Sequence, residues 1–305
     1  MTTLSPALVT GPAARPTVRD HLELVRAPAV LTVLGDTLAG STAAGLGVTG
    51  RRALLPLASA CLYAGGMALN DWADRDLDAV ERPERPIPSG RVTPRHALRV
   101  AAGLGVAGLA LAAAAGGRRS LAVAVPLAGC VWLYDARFKE TAAGPVAMAA
   151  CRGLDVLLGA GAGHLRAAAP AAAALAVHTA GVTVLSRGEV HGTTQTVAGA
   201  VTAGSVAVAV GALAGLRDTS GSARTAAVLA TGAYLATCLP AQVTATTTPD
   251  APAARAATGA GIRAMVPLQA AWAARAGHPG VAAALGVVAA AGVLLRRRPR
   301  AVSST

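Results

Sequence analysis

The sequence predicts an all-α protein, a polytopic bundle of about nine transmembrane helices with no separate soluble domain. Three observations predict it. Of the 305 residues, 53% are hydrophobic and 14% charged, where a soluble domain carries roughly a quarter charged residues. Long Ala/Leu/Val/Gly runs alternate with short arginine-bearing breaks. Several runs reach the ~20 residues that a helix needs to cross a bilayer, and in lipid a helix satisfies its own backbone polar groups.

Taken in order, residues 1–20 contain no apolar signal-peptide core and are expected to form a disordered arm. Residues 21–297 are expected to form one transmembrane domain, and 298–305 a short tail. Spans are predicted at 24–47, 52–71, 95–115, 119–135, 144–163, 168–186, 194–215, 222–243, 258–276 and 278–296. The first carries a lone acid, Asp36, and the fifth carries Arg152 and Asp155 at i, i+3, a spacing that allows an intrahelical ion pair. The ninth contains Arg263, Gln269 and Arg275 and reads as a partial or interfacial helix, so nine or ten crossings are expected. Gly and Ala inside the spans suit close helix contacts in lipid.

A net charge of +12 suggests nucleic acid in a soluble protein. Here the arginines cluster in the breaks, as in loops facing the cytoplasm, and seven aromatic residues (three Trp, three Tyr, one Phe) make no stacking platform. No nucleic-acid partner is expected. Cys61, Cys130, Cys151 and Cys238 are scattered through apolar runs without a CxxC pair and read as buried small hydrophobes. The richer arginine set falls at 75–95, 137–139, 187 and 255, which places those breaks together on the cytoplasmic side. The arginine-rich "RRRPR" near the C-terminus joins them if there are ten crossings.

The second span ends in "NDWADRDLD", which gathers four of the chain's 15 acids. Asp71, Asp74 and Asp78 are spaced i, i+3, i+7 and share one helical face with Asn70, whereas Asp76 points away. Like charges on one face are tolerable when solvated and paired with Arg75, Arg82 and Arg85, or when a cation neutralises them. Hard oxygen donors at a membrane edge suit Mg²⁺. The stretch "ERPERPIPSGRVTP" then stops the helix with prolines, turns at Ser89-Gly90 and restarts a helix with Pro94 in its first turn.

These residues carry a resemblance. Asn70, Asp71, Asp74 and Asp78 followed by Arg82, Pro83 and Arg85 to Gly90 are similar to the first aspartate-rich signature of the UbiA superfamily of intramembrane prenyltransferases, NDxxDxxxD then RPxRPIPSG. The resemblance implies a helical bundle with a central cavity open to lipid. It also implies that Asp71, Asp74 and Asp78 bind Mg²⁺ and, with Asn70, Arg82 and Arg85, the diphosphate of an isoprenoid donor. A prenyl group then passes to an unidentified small-molecule or lipid acceptor within the membrane.

Other residues fit that expectation. "YDARFKE" closes the fourth span, and Lys139 in it is the single lysine among 27 basic residues. The family commonly has a tyrosine and a lysine in this loop, so Tyr134 and Lys139 are expected near the diphosphate, Lys139 as a point charge. Arg137 is either a phosphate contact or a membrane anchor. Arg152 and Asp36 either line the substrate cavity or serve structure alone. After the sixth span, "SRGEVHG" stands where the superfamily has its second acidic motif, and it departs from it: Glu189 is its sole acid, beside Arg187 and His191. Either Glu189 binds a second Mg²⁺, or Arg187 grips the diphosphate directly, or catalysis is altered or lost. The fifth-span and "SRGEVHG" stretches look most like the EboC-like branch, whose members are associated with bacterial secondary-metabolite gene clusters. Heavy Ala/Arg/Gly usage suits a GC-rich bacterial genome, and the expected location is the bacterial inner membrane. The competing readings are a UbiA-type terpene cyclase and a non-catalytic lipid-binding or transport protein.

Overall fold

The computed structural model describes residues 15–30 and 32–297. Of the expected arm, residues 1–14 lie outside the described residues, as do 298–305 of the expected tail, whereas α1 (Val18–Leu24) is already formed at Val18. The Thr17 side chain accepts from the Asp20 N–H and the Asp20 carboxylate accepts from the Thr17 N–H, a reciprocal cap that starts α1. The Thr17 hydroxyl, the Thr17 N–H and Arg91 hold the Asp20 carboxyl down at about 2. After α1 come α2 (Ala27–Val30) and α3 (Leu34–Ala43), which complete a broken first leg, then α4 (Leu55–Ala73) and the short α5 (Arg75–Glu81).

The long α6 (Pro94–Leu133) is a hairpin. Gly117 has φ 57° and ψ −140°, a conformation that a Cβ disfavours, and Gly116 beside it is also non-helical. The two legs return to the same stretch of α4: a Cβ on Gly65 would meet Ala101 O at 3.0 Å, and one on Gly66 would meet Val131 at 2.7 Å. Beyond α6 lie α7 (Gly144–Ala160), α8 (Leu165–Ser186), α9 (Gln195–Leu213), α10 (Gly221–Thr247), α11 (Ala251–Arg275) and α12 (Pro279–Arg297). By length and composition, five helical stretches suffice to cross a membrane: 50–73, 94–138, 162–186, 195–213 and 221–247. With α1–α3 as one broken leg and α6 as two, the described chain traverses the bundle ten times, within the nine to ten expected.

Alanine and glycine set the helix spacing. Where α3 crosses α7, a Cβ on Gly40 would lie 1.8 Å from Val156 O, and one on Gly159 would lie 2.0 Å from Thr37 O. Backbone therefore touches backbone there. Gly159→Ala is expected to lower the melting temperature in detergent, because overpacking a tight contact costs about 1–3 kcal/mol. Gly103→Ala, with no neighbouring atom within 4 Å, leaves it unchanged; equal melting of the two variants would sink this account.

The ninth span differs from its expected partial or interfacial character. α11 is a full helix at the heart of the bundle, packed against α3, α8, α9, α10 and α12. Its polar residues are accommodated in two ways. Gln269 finds partners inside the core, and Arg263 lies on the exposed face. Nearby, His178 Nε2 donates to Gly261 O at 2.9 Å, so Nδ1 of the neutral ring is left to accept the Tyr234 hydroxyl at 2.9 Å. That bond chain ties α8, α10 and α11.

Candidate active site

One end of the bundle gathers the motif loops. Arg187 donates to Thr141 O, the Thr193 N–H to Pro249 O, and Arg255 to Glu189 O, which brings the 134–143, 187–194 and 248–250 breaks together. Lys139 pairs with Asp74, joining the acidic cluster to them. The opposite end holds residues 50–54, 116–119 and 160–164, where Arg52 donates to Gly159 O.

The acidic face forms although α4 stops at Ala73. The Asp74 N–H still donates to Asn70 O at 2.9 Å, and the Asp78 N–H to Asp74 O at 2.8 Å, so helical periodicity runs through the junction. Asp71 and Asp78 consequently turn to one side and are buried, and Arg85 Nη1 reaches both, Asp71 Oδ1 at 3.3 Å and Asp78 Oδ2 at 2.6 Å. Arg85 is aimed by the proline turn. The Ser89 N–H bonds Arg85 O, the Val92 N–H bonds Pro86 O, and Gly90 takes φ 76°. Arg82 stands 3.7 Å from Asp78 Oδ1. Asp76 points outward with its side chain 87% exposed, next to Arg75 at 3.5 Å.

Two residues unremarked in the sequence belong to this cluster. Arg26, between α1 and α2, donates from Nη2 to Asp71 Oδ1 at 2.8 Å and to Asn70 Oδ1 at 3.2 Å. Asn70 in turn donates from Nδ2 to Asp135 Oδ1 at 3.1 Å. The signal for Arg26 was a basic residue inside an apolar span; the signal for Asp135 was an acid inside "YDARFKE". That stretch is a π-helical turn, Tyr134–Phe138, in which the Lys139 N–H bonds Tyr134 O and half-buried Lys139 is turned toward Asp74. Tyr134 is half-buried at its start, whereas Arg137 is exposed and makes no hydrogen bond among the described residues.

The expected metal-ligand set of Asp71, Asp74, Asp78 and Glu189 is not assembled as such. Among the described residues, no three His, Cys, Asp or Glu side chains are gathered closely enough to hold a metal ion. The reason is visible: Arg26 and Arg85 neutralise Asp71, Arg85 and Arg82 neutralise Asp78, and Lys139 draws Asp74. Glu189 takes no ion pair among the described residues and contributes its carbonyl to Arg255. The donor chemistry of the three aspartates nonetheless fits Mg²⁺. Their oxygens are hard, and two of the carboxylates already share one cationic nitrogen, Arg85 Nη1.

Asp36 and Arg152 meet in a second, deeper cluster. Arg152 pairs with Asp36 rather than forming the intrahelical pair with Asp155, and Asp155 Oδ2 instead accepts from Ser59 Oγ at 2.6 Å. Gln269 Nε2 donates to Asp36 Oδ1 and to Thr32 O, both at 2.7 Å. Asp36 is fully buried. The cluster clamps α3, α4, α7 and α11 together, and neither Asp36 nor Arg152 bonds a residue of the Asp71 cluster.

Comparison with known proteins gives this geometry a context. A family model described as "UbiA prenyltransferase family" matches residues 32–189. A protein of Methanopyrus kandleri named digeranylgeranylglyceryl phosphate synthase is 38% identical over 124 residues, which cover 41% of this chain and 45% of that relative. The match therefore spans less than half of the curated relative's length. That name does not point to the EboC-like branch expected from the sequence. Among solved structures, a UbiA homolog from Aeropyrum pernix has a TM-score of 0.63 at 16% identity, covering 88% of this chain and 97% of that one. A UbiA homolog from Archaeoglobus fulgidus, bound to DMAPP and Mg²⁺, has a TM-score of 0.55 at 16% identity, covering 81% and 99%.

Proposed function

This chain belongs to the UbiA prenyltransferase family, and from that premise we propose that it transfers a prenyl group from an isoprenoid diphosphate to a phosphate-bearing glyceryl lipid within the membrane. The observation that carries the reading is the convergence of Asp71 and Asp78 on one cationic nitrogen, with Lys139 and Asp74 paired beside them at one end of an apolar, multi-pass membrane bundle. The name shared by the curated relatives supports the glyceryl phosphate acceptor, and it favours a digeranylgeranylglyceryl phosphate synthase-like role over an EboC-like one.

In this reading Asp71, Asp74 and Asp78 hold Mg²⁺, which supplies the charge neutralisation that lets an allylic diphosphate leave. Lys139 contacts the diphosphate as a point charge once released from Asp74. Arg187, seated on the same loop through Thr141 O, presents its guanidinium fork to phosphate where the family has a second acidic motif. Glu189, whose backbone carbonyl accepts from Arg255, reaches phosphate only through a cation, because an ionised carboxylate has no proton to donate. The apolar helices house the prenyl tail and keep water from the developing allylic cation, and the acceptor then attacks the allylic carbon. We propose that the motif loops lie on the cytoplasmic side on the strength of the arginine bias, and that the membrane is a bacterial inner membrane on the strength of the heavy Ala/Arg/Gly usage.

The test is turnover of radiolabelled geranylgeranyl diphosphate in membranes with Mg²⁺ and a panel of acceptors. A conjugate with a glyceryl phosphate lipid is the expected product. A cyclic hydrocarbon would make the protein a terpene cyclase, and no product with any acceptor would make it a non-catalytic lipid-binding protein.

A further inference from the structure

Arg26 is the one non-glycine residue among those described with a positive φ, 48°, a left-handed conformation that costs an L-residue energy. It lies between α1, which ends at Leu24, and α2, which begins at Ala27. Such strain persists where surrounding contacts hold it. Here the side chain adds to the backbone bonds of the Arg26 N–H to Glu23 O and of the Ala29 N–H to Arg26 O, because Arg26 Nη2 is fixed by Asp71 Oδ1 and Asn70 Oδ1. α1 is fastened to the body independently. Arg91 pairs with Asp20 and Glu23, and His21 Nε2 lies 2.8 Å from His96 Nε2. A strained joint thus sits between an anchored helix and a carboxylate that the proposed function assigns to a divalent cation.

We propose that Arg26 is a resident counter-ion that occupies the Asp71 seat in the cation-free protein and is released from it by a divalent cation, so that the joint between α1 and α2 senses occupancy of the site. The inference rests on the reading of Asp71 as a cation ligand. Electrostatics sets its direction. Asp71 Oδ1 already receives Arg26 and Arg85, and a divalent ion on the same oxygen repels both guanidiniums. Arg85 keeps Asp78 as a partner at 2.6 Å. Arg26 keeps only the neutral Asn70 oxygen, so Arg26 is the one that lets go. Release removes the side-chain contact and leaves φ in the left-handed region held by the two backbone bonds of Arg26 alone, so residues 25–30 loosen. Arg26 is a positioning residue in this scheme: it keeps the carboxylate neutralised and oriented until the cation arrives, and it competes with that cation.

Competition makes the test specific. Mn²⁺ binding to the detergent-solubilised full chain, without diphosphate, is read by electron paramagnetic resonance for wild type, Arg26→Gln and Arg26→Lys. Arg26→Gln is expected to bind Mn²⁺ about tenfold more tightly, because one competing charge is gone; a merely structural arginine gives no gain in affinity. Arg26→Lys is expected to stay near wild type. Hydrogen exchange needs no variant: amides at 25–30 are expected to exchange faster at saturating Mg²⁺ than without it. Unchanged or weaker Mn²⁺ binding by Arg26→Gln, equal tightening by Arg26→Lys, or Mg²⁺-independent exchange at 25–30 would each overturn the inference while wild type still binds Mn²⁺. Absence of Mn²⁺ binding by wild type would instead overturn the assignment of Asp71 as a ligand, and the inference with it.

Discussion

Asp71→Asn and Asp78→Asn are expected to lower diphosphate-dependent turnover at least ~10-fold, the scale seen even for the outer partners of metal ligands, while Asp76→Asn stays near wild type. The contrast follows from one helical rotation. Asp71 and Asp78 are buried and converge on Arg85, whereas Asp76, two residues before Asp78, has an 87% exposed side chain. All three substitutions remove a charge of the same sign from the same nine-residue stretch, so net electrostatics alone predicts equal effects. Burial predicts inequality. Asparagine keeps the size of the side chain while replacing one carboxylate oxygen with an NH2 donor and removing the charge, which separates loss of the ligand from loss of packing. Turnover is to be measured against Mg²⁺ concentration, with thermal melting of each variant as the control for folding. A loss at Asp76 as large as that at Asp71 would remove the basis for the site.

The legible part of this protein is the part that depends on local periodicity. Asp71 and Asp78 could be placed on one face because the hydrogen-bond ladder continues across the α4–α5 junction. The α6 hairpin could be placed because Gly116-Gly117 interrupts a long apolar run between two spans. What escaped depends on partners remote in sequence. Arg26 lies 45 positions from Asp71, and Arg152 lies 116 positions from Asp36. The i, i+3 spacing of Arg152 and Asp155 allows a pair, yet in a bundle a buried arginine chooses among every carboxylate within its reach, and the α3–α7 glycine contact brings Asp36 there first. Similarly, the polar residues of α11 suggested an interfacial helix, because composition does not reveal that Gln269 has Asp36 and Thr32 waiting in the core.

The deeper cluster leads to the second large effect. Asp36→Ala is expected to destabilise the protein by about 3–5 kcal/mol, the cost of breaking a buried ion pair by removing one partner. Arg152 is mostly buried, with its side chain 13% exposed, and its paired acid is fully buried. After the substitution the guanidinium keeps its charge without the Asp36 carboxylate, and Gln269 loses one of its two acceptors. Replacing both partners with apolar residues of similar volume, as in Asp36→Leu with Arg152→Met, is expected to recover most of that loss, because neither member of the pair is then left without the other. Ser59→Ala removes the hydroxyl that donates to Asp155 Oδ2 at 2.6 Å and lies 3.5 Å from Val33 O, and costs less, about 1–3 kcal/mol for a buried acceptor left unpaired. Unfolding in mixed micelles measures all three. A double variant as unstable as Asp36→Ala would mean that the clamp acts through shape rather than charge, and a stable Asp36→Ala would favour the substrate-cavity role over the structural one, the two alternatives that the sequence leaves open for Asp36 and Arg152.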